Sequence, residues 1–593
     1  MSKMKSLNKP LFGVGISLLV LLLPIWSGRA VKASEPDAEL EPAARASITI
    51  DLSKNQQDVI IRGNRSNAYL GEVTGSADFN GDGLDDLLIG AGGHDYHGQF
   101  TGAAYMILGK RNLDATVDLK NTAANLTVYG ERMNEALGHS VASGDINNDG
   151  IDDMIIAADA YDTDRGAVYV VLGGRNMYDS PVVLDLANPA SKAWLKITGY
   201  AQGDRFGRSI ASGDINNDGY DDIIIGAYTA SPNGRIQAGA VYVVLGGSYS
   251  HGTVINLNSQ PAALTIFGAS GDPDGFRQNH LDGEIDLVPF FADELNLPLN
   301  GEIGDRLGRS VAVGDVNNDG IKDLILGAYG ANANGKVDTG KTYVFYGSQS
   351  YSNASPITVD LSANPAAANH TFLGVDSGDQ SGFYVGSGDV NRDGFADVLI
   401  GAYFSRGYQN NAGAETGEVY VVFGSQSLPG TIDLAAGANL TIYGAAAGDR
   451  LGRSLAAGDV NMDGYFDLIL GASRADPDGR LDAGIVYVIY GASHPAGTIR
   501  LSDPNSAGMR ILGATGGSSI CTDTVDDTSS DCADELGHSA TVGDINGDGF
   551  KDIIAGALFA NNGSTQDAGA VYIITGKPEA DRSNRIYLPI MRR

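Results

Sequence analysis

The strongest constraint on this chain is a phrase that returns along its length. At its cleanest it reads DINNDGYDDIIIGA, residues 214–227, and further copies begin at Asp78, Asp145, Asp315, Asp389, Asp459 and Asp544. A serine-bearing segment such as FGRSIASG precedes the loop, and a fully apolar run follows it. A repeat of this kind is one supersecondary unit that cannot bury its own apolar surface, so neighbouring copies must cover one another. Many small cores side by side then serve 593 residues, far more than one core normally holds.

Within each copy the apolar runs span four to six residues, rich in Val, Ile, Leu and Tyr and bounded by Gly, Asp or Asn. They read as strands: they are too short for helices, and no 3.6-residue apolar period persists. Four main strands per unit are expected. A is the serine strand, B the apolar run after the loop, C the GAVYVV segment and D the LTIYG segment, with a brief VDL piece between C and D. Short antiparallel strands in seven units predict an all-β fold, a seven-bladed β-propeller with four-stranded antiparallel blades. An open solenoid would want distinct capping units, and none is evident. The ends favour a closed ring. DVIIRG at 58–63 is a D strand with no A, B or C ahead of it, and the last unit has A, B and C (571–575) followed only by 585–590. Residues 58–63 are therefore expected to supply the outer strand of blade seven, with IYLPI pairing nearby or left as a tail.

Successive loops start 67, 69, 101, 74, 70 and 85 residues apart, and the two long spacings place insertions at 269–304 and 514–535. Both fall between a D strand and the next A strand. Because strands alternate in direction, A–B loops share one face with the C–D links, and B–C and D–A loops share the other. Both insertions should thus decorate the face opposite the Asp loops.

Residues 1–33 have the layout of a secretory signal peptide: Lys3, Lys5 and Lys9, an apolar run at 11–26, then small residues at 31 and 33. A retained membrane anchor is the alternative, although the run is short for a span. Residues 34–46, rich in Glu, Pro and Ala, read as a disordered leader, and 47–593 as one propeller with no second apolar span. The formal charge is -32, and 21 of the 72 acidic residues belong to the repeated loops. Such a chain is a poor partner for nucleic acid, whose binding rests on positive charge. The Gly count of 81 is about twice ordinary usage, with glycines at fixed places in each repeat. Cys521 and Cys532, ten residues apart in a polar loop, read most simply as one local disulfide of an exported protein; no His or further Cys supports a metal pair.

In each loop, positions 1, 3, 5 and 9 carry oxygen side chains and position 6 is Gly, which permits the turn. The candidate ligands are Asp78, Asn80, Asp82 and Asp86 in the first copy and Asp145, Asn147, Asp149 and Asp153 in the second. Asp214, Asn216, Asp218 and Asp222 follow, then Asp315, Asn317, Asp319 and Asp323. The last three sets are Asp389, Asn391, Asp393 and Asp397; Asp459, Asn461, Asp463 and Asp467; and Asp544, Asn546, Asp548 and Asp552. Position 7 offers a backbone carbonyl, from Leu84, Ile151, Tyr220, Ile321, Phe395, Tyr465 and Phe550. An oxygen-only set suits a hard cation, and a flexible mixture of carboxylate and amide suits Ca²⁺ better than Mg²⁺. Up to seven Ca²⁺ are expected. An EF-hand needs an acidic residue at position 12, where this chain has Ile, Leu or Ala, so that reading falls. The bland alternative is a metal-free Asp/Asn/Gly turn.

FGRSIASGDINNDGYDDIIIGA followed by GAVYVVLGG resembles the FG-GAP repeat of the integrin α-subunit N-terminal propeller. The resemblance covers nearly everything from residue 47 onward. It implies seven blades with Ca²⁺ in A–B hairpin loops of the lower face, and points to the loop residues named above. There are departures: Tyr228, Tyr329 and Tyr403 stand where Pro is usual, and the first repeat has Tyr69-Leu70-Gly71 in place of Phe-Gly. Nothing resembles an inserted adhesion domain, a stalk or an integrin membrane helix.

Other candidates lie outside the loops. His139 and His538 precede serines and suggest a His/Ser pair, but other repeats hold Arg208, Arg309 and Arg453 in the same column, and no nucleophile elbow is present. His94 and His97, with Asp95, form a polar cluster in the first B–C loop, either a ligand site or a solvated loop. Tyr228, Tyr329, Tyr403 and Phe404, with Tyr408, are either an aromatic rim for glycan or peptide, or packing between blades. Phe290 and Phe291 make the first insertion apolar enough to bury something. The expectation is a secreted or cell-surface calcium-binding propeller that binds an extracellular protein or glycan. The alternatives are an extracellular hydrolase or lyase acting on a polysaccharide or phosphoester, and a structural matrix protein; fold alone does not choose.

Overall fold

A computed structural model describes residues 47–272, 304–407, 415–517 and 533–577. They form seven sheets, one per repeat, in a β-propeller. In blade three, strand A is Ser209–Gly213, B is Asp222–Ala227, C is Ala240–Val244 and D is Leu264–Phe267, paired antiparallel in that order. Each A strand packs against the A strands of both neighbouring blades, so the seven A strands line the axis.

The blades are five-stranded, not four-stranded. The VDL piece expected to be a mere link is a short outer strand, E, and it pairs parallel to the D strand of the preceding blade: Val182–Asp185 on Leu126–Tyr129, Ile357–Asp360 on Leu264–Phe267. An isolated D strand would expose an unpaired edge; the C–D link of the next unit covers it. Local pattern reading misses this because three or four half-exposed residues carry no burial signal of their own.

The ring closes with strands from both ends of the repeat array. Val59–Arg62 pairs antiparallel with Ala570–Ile574 as the D strand of blade seven, as expected for 58–63. Ile48–Asp51, N-terminal to it, is the E strand of blade six on Met509–Leu512, and Thr116–Asp118 is that of blade seven.

Strand B is buried along all six residues in every blade. Both of its faces meet neighbouring blades, which is why it reads as a continuous apolar run rather than an alternating one. One core cluster, for example, joins Ile155, Val168 and Ile197 of blade two to Ile223, Ile225 and Tyr242 of blade three. Its last glycine has a separate cause. A Cβ on Gly327 would lie 2.0 Å from the carbonyl oxygen of Gly382 in the next blade, so the blades meet backbone to backbone. The serines of strand A join blades too: the hydroxyls of Ser209, Ser454 and Ser539 donate to the carbonyls of Gly308, Gly537 and Gly71.

The E strand ends in Asp in five blades, and each of these aspartates meets the B–C loop of its own sheet, four through hydrogen bonds and Asp51 through an ion pair at 3.1 Å. Asp185 pairs with His97, Asp360 with Arg235 and Asn233, Asp433 with Asn334, Asp118 with Asn562, and Asp51 with Arg480. The Asp of VDL thus latches the upper loops to the outer rim.

Among the described residues no helix is long and apolar enough to cross a membrane. The segments 1–33 and 34–46, Cys521 and Cys532, Phe290 and Phe291, Tyr408 and residues 585–590 lie outside the described residues. The described ends of the insertions are held to upper B–C loops: Asp272 N–H donates to the Ile236 carbonyl, and Gly517 N–H to that of Leu481.

Candidate functional site

The two faces of the ring have different chemistry. On the lower face the seven Asp loops share one geometry. The position 6 glycines have φ between +85° and +90°, a region closed to most side chains. In loop three, Asp214 Oδ1 and Oδ2 accept the N–H groups of Asp218 and Gly219 at 3.2 and 2.9 Å, and Asp218 Oδ1 accepts that of Tyr220 at 3.1 Å. The other loops repeat this set.

Position 9 does something else. Asp222 is fully buried; its Oδ2 accepts Ile215 N–H at 3.1 Å, and its Oδ1 accepts Gly246 N–H, just past strand C, at 2.9 Å. Asp86, Asp153, Asp323, Asp397, Asp467 and Asp552 strap their hairpins in the same way. Burial pushes all seven carboxyls up to about 7, held back by the two amides and reinforced by the carboxylates at positions 5 and 1.

Neighbouring loops also touch. The position 8 N–H donates to the position 1 carbonyl of the preceding loop at six of the junctions, Asp85 to Asp544 across the closure among them. The hairpins form a hydrogen-bonded ring around the axis.

Two observations test whether a cation fits. The donor set is oxygen only, with the carboxylates at positions 5 and 1 close enough to raise the position 9 carboxyl's affinity for protons, which a divalent ion would relieve. Second, Asn147 Oδ1 is buried without a hydrogen-bond partner, whereas the corresponding oxygens of the other loops accept the position 5 N–H. A buried acceptor left unpaired is uncommon and matches a ligand position. The residue types and their order along the loop suit a hard divalent cation. As the side chains stand, each engaged with loop amides, no group of three or more His, Cys, Asp or Glu among the described residues is gathered tightly enough to hold an ion.

The upper mouth of the channel is built from the residues entering each A strand. In one column stand Glu72, His139, Arg208, Arg309, Phe383, Arg453 and His538; three residues earlier stand Tyr69, Ala136, Arg205, Arg306, Gln380, Arg450 and Glu535, all with positive φ. With Arg474, seven arginines gather here, in a chain whose net charge is -32. They rest on rings. Arg309 lies 4.6 Å from the Phe383 centroid and 5.3 Å from that of Tyr384, Arg453 4.9 Å from Tyr384, Arg450 5.4 Å from Tyr403, and Arg306 5.7 Å from Tyr228. Such cation–π seating holds a guanidinium rigidly. Beside Arg205, which lies 3.8 Å from Asp159, His139 is gripped between Glu72 (3.1 Å) and Asp159 (2.7 Å), all three buried.

A family model described as FG-GAP repeat matches residues 70–106, 137–171, 206–244, 307–345, 384–422, 451–489 and 536–574. The chain is built of seven FG-GAP repeats. It is similar to Integrin alpha-5 of Xenopus laevis, 26% identical over 317 residues, which is 52% of this chain and 24% of that protein. It is also similar to Integrin alpha pat-2 of Caenorhabditis elegans, 28% identical over 47% of this chain and 20% of that one. Phosphatidylinositol-glycan-specific phospholipase D of Bos taurus is 34% identical over 32% of this chain and 21% of its own length. The chain spans about a quarter or less of the length of each of these relatives.

The FG-GAP columns account for several candidates. Tyr228, Tyr329, Tyr403 and Phe404 are buried and pack with Phe383 and Tyr384 in one cluster between blades three, four and five; they support the arginines and do not form an open rim. His538 meets Arg453 and Glu535. His94 is buried and His97 exposed, in the B–C loop of the first repeat. The arginine mouth was missed in reading the sequence. Its signal was present as Arg three residues apart, flanking Phe-Gly or Leu-Gly, in repeats three, four and six.

Proposed function

We propose that this chain is an exported, calcium-stabilised adhesion or ligand-binding module whose upper face docks an acidic extracellular protein or polysaccharide. The observation that carries the reading is the arginine mouth. Its guanidinium groups, three of them facing Asp159, Glu415 and Glu535, stand in a strongly negative body, where positive groups steer and orient an acidic ligand, and those held on aromatic rings are preorganised for carboxylate or sulfate oxygens. The likeness to integrin α chains supports the same class. Ca²⁺, held by the position 1, 3, 5 and 9 side chains and the position 7 carbonyl, would neutralise the lower ring and stiffen the A–B hairpins on which the mouth is carried. Residues 1–33 would direct export, and Cys521 and Cys532 would close their loop as a disulfide.

The test is a protein and glycan array probed with mature protein in Ca²⁺ and in chelator, beside Arg208→Gln. Salt-sensitive binding to acidic ligands, weakened by chelator and by the variant, is expected; binding confined to neutral or basic ligands overturns the reading. A hydrolase is the second reading. It is favoured by the likeness of the repeats to a phospholipase D and by His139 set between two carboxylates, and turnover in a phosphoester and polysaccharide panel that is lost in His139→Gln would establish it.

A further inference from the structure

The first repeat carries a feature that the shared columns do not explain. Its B–C loop reaches over the rim of blade one and lays Tyr96 on Tyr129, at the end of strand D. The ring centroids are 3.7 Å apart and the planes 2° from parallel. Tyr96 is nevertheless 42% exposed: one face is occupied by Tyr129, so the ring presents a flat apolar surface whose orientation is already fixed. Beside it, His97 lies 4.7 Å from the Tyr96 ring and bonds Asp185 at 2.8 Å, and Asp95 meets Arg65 at 3.3 Å.

A second, independent observation concerns His94 in the same loop. It is 1% exposed, 5.4 Å from the Tyr129 ring and 6.2 Å from that of Tyr105, and neither ring nitrogen has a hydrogen-bond partner. Burial, with Arg65 nearby, lowers its pKa to about 4, so at neutral pH the imidazole offers one donor and one acceptor. Leaving both unused in an interior is a state proteins rarely tolerate, and the unsatisfied imidazole lies 5.4 Å from the ring on which Tyr96 is stacked.

We propose that this patch is a subsite for a pyranose ring of a neutral polysaccharide, whose apolar face lies on Tyr96 while its hydroxyls bond the polar groups at the edge. The edge decides the class: Arg65 is matched by Asp95 and His97 bonds Asp185, so it offers oriented donors and acceptors of the kind that suit a polyol. A stiff aromatic plane costs little conformational entropy when a flat ring settles on it. This inference rests on the ligand-binding reading but not on the arginine mouth, and it gives blade one a role distinct from that of the channel.

Mature full-length protein in Ca²⁺ is titrated with methyl glucoside, methyl galactoside, methyl mannoside and methyl N-acetylglucosaminide, followed by saturation-transfer NMR and calorimetry. A poly-aspartate probe of the mouth runs in parallel. At least one pyranoside should bind, with affinity falling tenfold or more in Tyr96→Ala, holding within threefold in Tyr96→Phe, and with poly-aspartate binding unchanged in both. Unaltered melting of the variants separates loss of the subsite from loss of fold. Pyranoside binding indifferent to Tyr96→Ala, or lost equally in Tyr96→Phe, overturns the subsite. So does poly-aspartate binding with no pyranoside bound, which leaves the module reading standing; binding of neither probe removes both.

Discussion

Gly327→Ala isolates the contact between blades. Gly327 lies in strand B of blade four, Asp323–Ala328, with negative φ, so alanine meets no local backbone strain. The obstacle is the neighbour: the new methyl would sit 2.0 Å from the Gly382 carbonyl oxygen and 3.1 Å from its carbon. Ordinary contact needs about 3.4 Å, so the blades must part by roughly 1.4 Å, and in a closed ring that displacement is passed to the other interfaces. Overpacking of this kind costs about 1–3 kcal/mol. With an unfolding entropy of about 2.1 cal/mol/K per residue, a ring of roughly 500 folded residues has ~1 kcal/mol/K, so Tm should fall by about 1–3 °C. Scanning calorimetry in saturating Ca²⁺ resolves this. Blade two supplies a control, because Ala157 occupies the equivalent position: Ala157→Gly should leave Tm within about 1 °C. If Gly327→Ala melts with wild type, backbone contact between blades is not what sets this glycine, and the reasoning fails.

Native mass spectrometry of the mature chain should show up to seven Ca²⁺, one fewer in Asp214→Ala, and chelator should lower Tm; a chain that takes up none sinks the calcium assignment. Ile61, buried in the closing D strand, should not tolerate Asp: Ile61→Asp is expected to lose on the order of 4 kcal/mol and to become protease-sensitive near both ends of the array. Asp379 and Asp449 close D–A turns by accepting the N–H groups of Asp376 and Ala446, and burial pushes both carboxyls up to about 7. The folded chain therefore holds protons that the unfolded chain releases near 4, so these groups favour the fold at low pH and oppose it as pH rises through about 4 to 7, each by up to about 4 kcal/mol at about 1.4 kcal/mol per unit. Asp379→Asn should match wild-type Tm at pH 4 and exceed it at pH 8, where an equal Tm would refute the assignment.

The repeat, its count and the closure of the ring were legible from the chain alone, because they follow from local chemistry copied seven times: apolar runs of strand length, turn glycines and an orphan D strand at 58–63. The oxygen-rich loops could be read for the same reason. Neighbours in sequence bond one another there, as Asp214 does with Asp218 and Gly219. Ring closure apart, what sequence could not assign was what depends on a partner from another repeat. The VDL strand pairs with a D strand of the preceding blade, the strand B glycine answers to a carbonyl 55 residues away, and the tyrosines of the expected rim are buried by arginines and rings from adjacent blades. Strand propensity and turn chemistry act over a few residues, whereas burial, edge pairing and the gathering of like charges are properties of the closed ring, and only tertiary structure decides them.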